Sequence, residues 1–592
     1  MCGIIGLLQK EHTIDKISFN KLRDTLIHRG PDDSGTWMND EMTVALGHRR
    51  LSFLDLSENG RQPMSNEDGS VWISFNGEIY NYLELKKTLE NKGHIFRSTS
   101  DTEVIIHGYE EWDEGVLHKL KGMFAFGIWD NRNRLLFLVR DRFGIKPLYY
   151  FHSKGTFMFA SELKALVSSG ILNKSIDYSS FGDFFTYRYV PSPKTIWENI
   201  YKIPPANYLV YNFSSNTYKV EEYWKLRSEE QSINPSILAK KIDEILYNSI
   251  NIHTRSDVPI GVFTSGGYDS SAIVYYLSRI GYTPQTFSIG FKDWPESEHK
   301  YAEIVADKFN TPHTCHIAEE DTFSLLDRMP QVYDEPIADI SIIPTFLVCQ
   351  VASRKVKSVM SGEGADEIFG GYTWQKDLFA HKYYKSIYHI LMDIWRRAQF
   401  DMVDLYSREM AMGHFKHCHL RSMVNPDLHS GLSEDVDWFY RLNFDPDLSP
   451  LKAFQLMDIK CFMGELVLTK VDRASMANSL EVRVPFLDHE LFETIFSHKE
   501  ESYFKHNVTK YMLYENIKDH LPQEIIKRKK QGFVGPDSFY VRIDKYWSIL
   551  QSGKLIKDQV IDLKFVKDLV AQKDQWRLWK LAVMEKWYAE WC

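Results

Sequence analysis

The spacing of apolar and polar residues divides the chain into two parts with different predicted structures. In the first part, short apolar runs bounded by polar turns indicate β-strands, as in VWISFNG, GMFAFGIWD and RLLFLVRD. Two further runs, 208–211 and 218–220, flank a polar turn and predict a late hairpin. The polar, charged stretch KLRSEEQSINPS follows Trp224 and is typical of a linker. The pattern therefore predicts a strand-rich unit that ends near this stretch.

Beyond the linker, predicted strands alternate with predicted helices. The strand-like segments are VPIGVF, TPQTFSIGF and VKSVMSG, and the helix-like segments are SSAIVYYLSRIG and HKYAEIVADKFN. Alternation of this kind favours a parallel α/β sheet. From about Trp374 onward the pattern is mostly helical. We therefore expect a second, larger unit with a helical C-terminal part.

Composition and charge exclude several classes of protein. The 592 residues are 44% apolar and 26% charged, as in ordinary globular proteins. The 71 Lys and Arg against 80 Asp and Glu give a net charge of −9, without a basic block for nucleic acid. No apolar run approaches the roughly 18 residues of a membrane-spanning helix. With no signal-peptide pattern and six scattered cysteines, we expect a cytoplasmic protein that binds neither nucleic acid nor membrane.

The second residue is a candidate nucleophile. Removal of the initiator methionine would place the thiol of Cys2 beside its own α-amine. An α-amine has an ordinary pKa of about 7.7–8, so it can activate the thiol near neutral pH without a histidine. The alternative is a cysteine with no catalytic role.

Polar clusters between the predicted strands supply possible companions for this thiol. Asn76 and Gly77 can present a side-chain amide and a backbone N–H, as an oxyanion hole requires. Arg50 can bind a carboxylate and Asp101 an ammonium group. Together they describe a site for glutamine. The alternative is a series of hairpin turns, because Asn-Gly is also a strong turn signal.

Two loops in the second part suggest a nucleotide site. SGGYDSS (265–271) follows a predicted strand and opens a helix, so its N–H groups can bind phosphate, but it lacks the P-loop ending. SGEGADE (361–367) follows another strand, and the loops at the carboxyl ends of parallel strands share one crevice. Asp269 and Asp366 could hold Mg²⁺ there, since that ion prefers oxygen ligands. The alternatives are an ordinary turn for the first loop and a solvated acid for Glu367.

These motifs carry a resemblance to a known family that covers nearly the whole chain. Residues 1–212 resemble the class II glutamine amidotransferase domain, an N-terminal-nucleophile hydrolase. Residues 236–592 resemble the asparagine synthetase domain, an ATP-pyrophosphatase fold, and 213–235 is the predicted linker. The resemblance continues through VDRASMANSLEVRVPFLDHE, TKYMLYE and KRKKQGF. It implies an α/β and α+β protein of two domains, a sandwich followed by a parallel sheet with helices.

The resemblance also implies roles for individual residues. Glu363 would accept a proton from the attacking ammonium, and Lys510 would offset negative charge on phosphate. Arg473 and Arg483 could assist, although salt bridges with Asp472 or Glu481 are the alternative. The implied glutamine site consists of Cys2, Arg50, Asn76, Gly77, Glu78 and Asp101. The implied ATP site consists of Phe263, Ser265, Gly266, Gly267, Asp269, Ser270, Ile289, Ser361 and Gly362, with Mg²⁺ on Asp269 and Asp366.

The implied reaction uses glutamine, ATP, Mg²⁺ and an acceptor carboxylate. Glutamine is hydrolysed to ammonia, ATP adenylates the acceptor, and ammonia forms the amide. Aspartate is the expected acceptor, with a sugar uronic acid or a natural-product acid as the alternative, because DEPIADISIIPT (334–345) occupies the region of expected acceptor contacts. A homodimer is expected by analogy alone. A ligase that uses only free ammonia and a silent scaffold are disfavoured, since every expected active-site residue is present.

Overall fold

A computed structural model describes residues 2–292, 294–318, 320–383, 401–505, 508–528, 531–533, 535–536 and 542–592, without the side chains of 320–323 and 380–383. Residues 529–530 of the KRKKQGF motif lie outside this part. Within it, no helix combines the length and apolar character that crossing a membrane would require.

Twelve strands of the first part form two antiparallel sheets. The strands are β1 (Gly3–Gln9), β2 (Asp33–Met38), β3 (Val44–Arg50), β4 (Met64–Ser65), β5 (Val71–Ile79), β6 (Gly122–Asp130), β7 (Leu135–Arg140), β8 (Tyr149–Ser153), β9 (Thr156–Ala160), β10 (Ile200–Lys202), β11 (Asn207–Asn212) and β12 (Thr217–Glu222). One sheet has the order β10-β8-β9-β1-β3-β2 and the other β12-β11-β7-β6-β5-β4.

Alternation along β1 explains how the two sheets pack. Ile4 and Leu8 point into the apolar layer between the sheets, where they meet Trp129 and Leu138 of the second sheet. Ile5 and Leu7, on the opposite face, belong to a core that continues into the second part of the chain. The predicted sandwich is confirmed. Its helices are Lys16–Asp24, Tyr82–Glu90, Thr102–Trp112, Leu163–Val167 and Tyr178–Tyr187.

The predicted linker contains the last strand of the sandwich. β12 pairs with β11 in an antiparallel register from Asn207 opposite Glu222 to Asn212 opposite Thr217, as the late hairpin predicts. Residues 223–234 then carry no helix or strand, apart from an isolated bridge at Gln231. A helix begins at Pro235, with Asn234 as its N-cap. The domain division at 212 and 235 stays a prediction.

The second part is built around a parallel five-stranded sheet, which confirms the predicted α/β pattern. Its strands are β13 (Ile260–Phe263), β14 (Gln285–Phe291), β15 (His313–Ala318), β16 (Ser358–Met360) and β17 (Glu481–Arg483), in the order β15-β14-β13-β16-β17. Because β13 lies directly beside β16, the loops that follow them are neighbours at the carboxyl edge of the sheet. A Cβ added to Gly362 would lie only 2.8 Å from the Cβ of Asp269, so the two loops touch.

Helices surround this sheet and form most of the C-terminal part, as expected. They are Pro235–His253, Tyr268–Ile280, His299–Phe309, Met329–Tyr333, Ile342–Ala352, Ala365–Phe369, Thr373–Tyr383, Met402–Met410, His417–Met423, Trp438–Asn443, Pro450–Met457, Leu468–Met476, His489–Phe496, Glu500–Tyr503, Tyr511–Ile517, Gln523–Ile526, Ile543–Leu550, Lys554–Lys557, Leu563–Ala571 and Gln575–Trp591. A π-helical segment, Asp458–Val467, joins Pro450–Met457 to Leu468–Met476.

The Trp-rich helix Gln575–Trp591 packs onto the body of the protein. Trp579 and Trp587 are buried, and their indole N–H groups donate to the carbonyls of Ala338 and Asp334. The ring of Trp587 also lies 5.3 Å from that of Trp197 in the first part of the chain. This helix therefore joins the two parts.

Candidate active sites

The first site lies where β1, β3 and β5 meet. Cys2 precedes β1, Arg50 ends β3, and Asp101 is the N-cap of the helix Thr102–Trp112. The volume of the cavity between them is about 30 Å³. Of the sequence-predicted residues, its walls include Cys2, Arg50, Gly77, Glu78 and Asp101.

Asn76 orients the candidate nucleophile. Its Oδ1 accepts a hydrogen bond of 3.0 Å from the backbone N–H of Cys2. Its Nδ2 is buried and has no hydrogen-bond partner among the described residues. A buried donor without a partner is rare and costly, and it is available for a developing negative charge. Burial also raises the pKa of the Cys2 thiol, so the thiolate needs stabilisation from its surroundings.

Gly77 is required by a close approach between neighbouring strands. A Cβ at this position would lie 2.1 Å from the carbonyl oxygen of Met123 on β6. No other residue fits there without separating β5 from β6. Asn76 and Gly77 therefore lie within a strand, and the alternative of a hairpin turn at this Asn-Gly pair is wrong.

Arg50 is engaged with the loop that covers the cavity. Its guanidinium donates to the carbonyl oxygens of Leu54 at 3.0 Å and Ser57 at 3.2 Å, and also to that of Asp55. The guanidinium thus lies in the cavity wall, as a substrate clamp would, and backbone carbonyls of the loop 51–60 hold it there.

Asp101 and Glu78 are the acidic groups of this site. Asp101 Oδ2 accepts a hydrogen bond of 2.8 Å from the N–H of Ile79, and burial raises the pKa of Asp101 to about 6. Burial likewise raises the pKa of Glu78, while Arg483, 3.2 Å away, opposes that shift. Arg483 also pairs with Glu481 at 2.6 Å, which is the expected alternative for this arginine.

The second site is a cavity of about 390 Å³ at the carboxyl ends of β13, β14 and β16. A neighbouring cavity of about 470 Å³ also borders the SGGYDSS loop and shares Ser265, Asp269 and Asp366 with the first. The first cavity is lined, among others, by Phe263, Ser265, Asp269, Ser270, Ile289, Ser361, Gly362, Glu363 and Asp366. The lining of the 470 Å³ cavity includes Gly266, Gly267 and Lys510. All sequence-predicted residues of the nucleotide site therefore surround one region.

Two carboxylates converge on the ammonium of Lys510. Its Nζ lies 2.5 Å from Asp269 and 2.8 Å from Asp366, and these carboxylates raise the pKa of Lys510 against the opposing effect of burial. Two oxygen ligands directed at one point are the donor set that Mg²⁺ takes together with phosphate oxygens. Asp269 and Asp366 thus fit the predicted metal site.

Glu363 fits the role of a proton acceptor. Its Oε2 is buried and has no hydrogen-bond partner in the described part of the chain. Burial raises the pKa of Glu363, which makes its carboxylate a stronger base than an exposed one.

Sequence reasoning did not single out several residues at these sites. Asp339, Ser341 and Lys470 line the 390 Å³ cavity, as Glu363 does. The first two belong to the stretch 334–345, where acceptor contacts are expected; nothing local to Lys470 marks it. Tyr268 of the SGGYDSS loop donates from its hydroxyl to the carbonyl of Ile526 at 2.5 Å.

Arg29 also escaped sequence reasoning. Its Nε donates to the carbonyl of Cys2 at 3.0 Å, and its other nitrogens bind both oxygens of Asp472 at 2.8 and 3.0 Å. Arg473 lies 2.9 Å from Glu162, while its neighbour Asp472 is held by Arg29. The expected alternative for Arg473, a pair with Asp472, is not the arrangement in the structure.

The fold and the two sites define a two-domain enzyme that joins a thiol site for glutamine to a nucleotide site. Residues 1–224 match the family described as glutamine amidotransferase domain, and residues 241–589 match the family described as asparagine synthase. The chain belongs to the asparagine synthase family and is a glutamine-dependent enzyme that forms amides with ATP.

Curated relatives match over most of the chain. Asparagine synthetase [glutamine-hydrolyzing] 1 of Bacillus subtilis (strain 168) is 32% identical over 100% of this chain and 96% of its own length. Asparagine synthetase [glutamine-hydrolyzing] 3 of the same organism is 32% identical over 90% of this chain and 87% of its own. Amidase chry2 of Gibberella zeae is 27% identical over 87% of this chain and 84% of its own.

Proposed function

We propose that this enzyme transfers the amide nitrogen of glutamine to the side-chain carboxylate of aspartate and so forms asparagine. The observation that carries the proposal is that one chain brings together the expected residues of both sites. Cys2 lies beside the unpartnered amide of Asn76, and Glu363 faces the cavity that Asp269 and Asp366 border. The names of the two Bacillus relatives support aspartate as the acceptor.

In the glutaminase site, removal of Met1 frees the amine that activates the thiol. Cys2 Sγ attacks the amide carbon of glutamine, and Asn76 Nδ2 and the N–H of Gly77 donate to the resulting oxyanion. Ammonia leaves, and water hydrolyses the thioester to glutamate. Arg50 and Asp101 would hold the carboxylate and the ammonium of glutamine.

In the synthetase site, the acceptor carboxylate attacks the α-phosphorus of ATP, and pyrophosphate leaves. Mg²⁺ held by Asp269 and Asp366 would neutralise charge on the phosphates. Lys510 offsets charge on the reacting phosphate. Ammonia then attacks the acyl-adenylate carbon, Glu363 takes a proton from the ammonium that forms, and AMP leaves as the amide is completed. Mg²⁺ as the metal, a cytoplasmic location and a homodimer stay predictions.

Replacement of the nucleophile tests the first half of this reaction. In Cys2→Ala, we expect glutamine-dependent asparagine formation to disappear and ammonia-dependent formation to continue, because only the glutaminase site needs the thiol. Amide and AMP are measured with each nitrogen source. Cys315→Ala, on the edge strand β15, is the control and should retain both activities. Glutamine use by Cys2→Ala would refute the assignment of the nucleophile.

An acceptor panel tests the second half. The wild-type enzyme is supplied with glutamine, Mg-ATP and a series of carboxylates that includes aspartate and a sugar uronic acid. Coupled release of AMP and amide with aspartate supports the proposal. Turnover of the uronic acid but not of aspartate would leave the chemistry in place and reject the acceptor.

A further inference from the structure

One wall of the 390 Å³ cavity carries a pair of opposite charges. Lys470 Nζ lies 3.1 Å from Asp339 Oδ1 and 2.5 Å from Ser341 Oγ, and all three residues line the cavity. The side chains of Lys470 and Asp339 are only 9% and 10% exposed. The charges come from distant parts of the chain, since Asp339 precedes the helix Ile342–Ala352 and Lys470 lies on the helix Leu468–Met476.

Surrounding groups keep Asp339 ionised and oriented. The backbone N–H of Ser341 donates to Asp339 Oδ1 at 2.9 Å, and Arg188 Nη1 lies 3.6 Å from Asp339 Oδ2. Burial favours the neutral acid, but Lys470 and Arg188 outweigh it and hold the pKa of Asp339 below its ordinary value. The carboxylate is therefore charged at neutral pH, as an acceptor of an ammonium group must be.

The pair lies near Glu363, the proposed proton acceptor. Lys470 is close enough to Glu363 to lower the pKa of that carboxyl against the effect of burial. The cavity wall also contains apolar side chains, among them Met463 and Val467. In such surroundings charged groups interact strongly and are poorly replaced by neutral hydroxyl groups.

We propose that Asp339 and Lys470 recognise the acceptor as an α-amino acid: Asp339 binds its ammonium group and Lys470 binds the carboxylate that does not react. This inference rests on the proposed function, since it reads the non-reacting end of the same acceptor. A ligand with adjacent opposite charges pairs with both wall groups and leaves the net charge of the wall unchanged. A uronic acid has only neutral hydroxyl groups to offer at this end.

The test uses two acceptors that each lack one group of aspartate. Succinate lacks the ammonium group, and 3-aminopropanoate lacks the non-reacting carboxylate. The kcat/KM for each acceptor is measured in the wild type, Lys470→Met and Asp339→Asn. Loss of a buried charged contact should lower kcat/KM for aspartate about 100-fold in either variant. Lys470→Met should lower kcat/KM much less for 3-aminopropanoate than for aspartate, and Asp339→Asn should lower it much less for succinate than for aspartate.

Controls separate recognition from structural support. Lys470→Arg should retain more activity with aspartate than Lys470→Met, because it keeps the cation. Lys460→Met removes a partly exposed cation of the adjoining π-helical segment, 3.9 Å from Glu222, and should leave all three acceptors unaffected. An equal loss with all three acceptors in both cavity variants would mean that the pair only supports the fold, and it would overturn the inference.

The outcomes distinguish this inference from the proposed function. Wild-type turnover of aspartate with no selective loss in the variants rejects the inference alone. Turnover of a uronic acid and not of aspartate rejects both the acceptor and its recognition by these residues. If no acceptor supports turnover, the proposed function fails, and binding is measured instead as the thermal shift that aspartate produces with α,β-methylene-ATP. A shift in the wild type that Lys470→Met abolishes supports the inference, and no shift overturns it.

Discussion

At the scale of single residues, the glutaminase site is prepared by buried polar groups whose partners are incomplete. Asn76 uses one end of its amide to hold Cys2 and leaves the other end without a partner in the described part of the chain. Leaving a buried donor unsatisfied costs roughly 1–3 kcal/mol, which the oxyanion of the reaction can recover. The cost is thus carried by the free enzyme and relieved in the transition state.

Protonation of Asp101 should lower the use of glutamine at acid pH. Its pKa of about 6 lies above the ordinary value because of burial, so the carboxylate that binds the ammonium of glutamine is lost as the pH falls through 6. The free α-amine of Cys2, with an ordinary pKa of about 8, already gives log kcat/KM a slope of about one below pH 8. We expect the slope to steepen to about two below pH 6.

The measurement is kcat/KM for glutaminase activity between pH 5 and 8. Asp101→Asn should be slow at every pH and should lack the steeper limb, since it has no carboxylate to protonate. The ammonia-dependent reaction, expressed per free ammonia, bypasses Asp101. A steeper limb near pH 6 in that reaction too would assign the titration to another group.

At the scale of elements, one helix serves both sites. The helix Leu468–Met476 directs Lys470 and Val471 to the 390 Å³ cavity of the nucleotide site. Its Asp472 binds Arg29, which in turn donates to the carbonyl of Cys2. The preceding π-helical segment supplies further cavity residues, in keeping with the frequent occurrence of such segments at functional sites. The two sites are therefore joined by a short chain of direct contacts.

Breaking this contact should destabilise the protein. Arg29 and Asp472 are 0% and 2% exposed, and Asp472→Ala would remove one of the carboxylates that bind the buried guanidinium and leave that of Glu162, 2.7 Å away. A loss of about 1.5–3 kcal/mol in the free energy of unfolding is expected, as for hydrogen bonds to a charged group. The measurement is urea unfolding of the full chain.

The double variant Arg29→Met with Asp472→Ala should lose less stability than the sum of the two single variants, because both substitutions remove the same bidentate contact. Asp447→Ala, at an exposed position, is the control and should have little effect. If the loss in free energy of unfolding for the double variant equals the sum of the losses for Arg29→Met and Asp472→Ala, the result would contradict a direct coupling.

At the scale of the whole molecule, the two parts share one apolar core. The core cluster that includes Ile5 of β1 continues to Tyr588 of the last helix. Aromatic pairs cross the boundary, with Phe143 4.8 Å from Phe492 and Trp197 5.3 Å from Trp587 between ring centroids. Separation of the two parts would expose these rings to water.

The N-terminal part should therefore not be stable on its own. We expect residues 1–224, expressed alone, to aggregate, and co-expression with residues 225–592 to restore a soluble complex. Solubility and size-exclusion elution are the measurements, with the full chain as the reference. A soluble, monomeric 1–224 fragment with full glutaminase activity would contradict a shared core.

Much of the fold could be predicted because its signals are local. The short apolar runs of β5, β6 and β7 predict strands, and a Gly-rich loop between a strand and a helix is typical of a phosphate site. The position of Asn76 was harder to predict, because Asn-Gly is a turn signal and only the pairing of β5 with β6 places it inside a strand. The exclusion of every residue but glycine at 77 likewise depends on a neighbouring strand.

The sequence by itself determined the strand-rich pattern of the first part, the α/β pattern of the second and the candidate residues of each site, because motifs, turn residues and side-chain periodicity are properties of short segments. Only the tertiary structure decided which distant groups meet, such as Arg29 with Asp472, 443 residues apart, and Lys470 with Asp339, 131 residues apart. The physical reason is that such pairs depend on how whole helices and sheets pack. No local pattern around Arg29 or Lys470 records that packing.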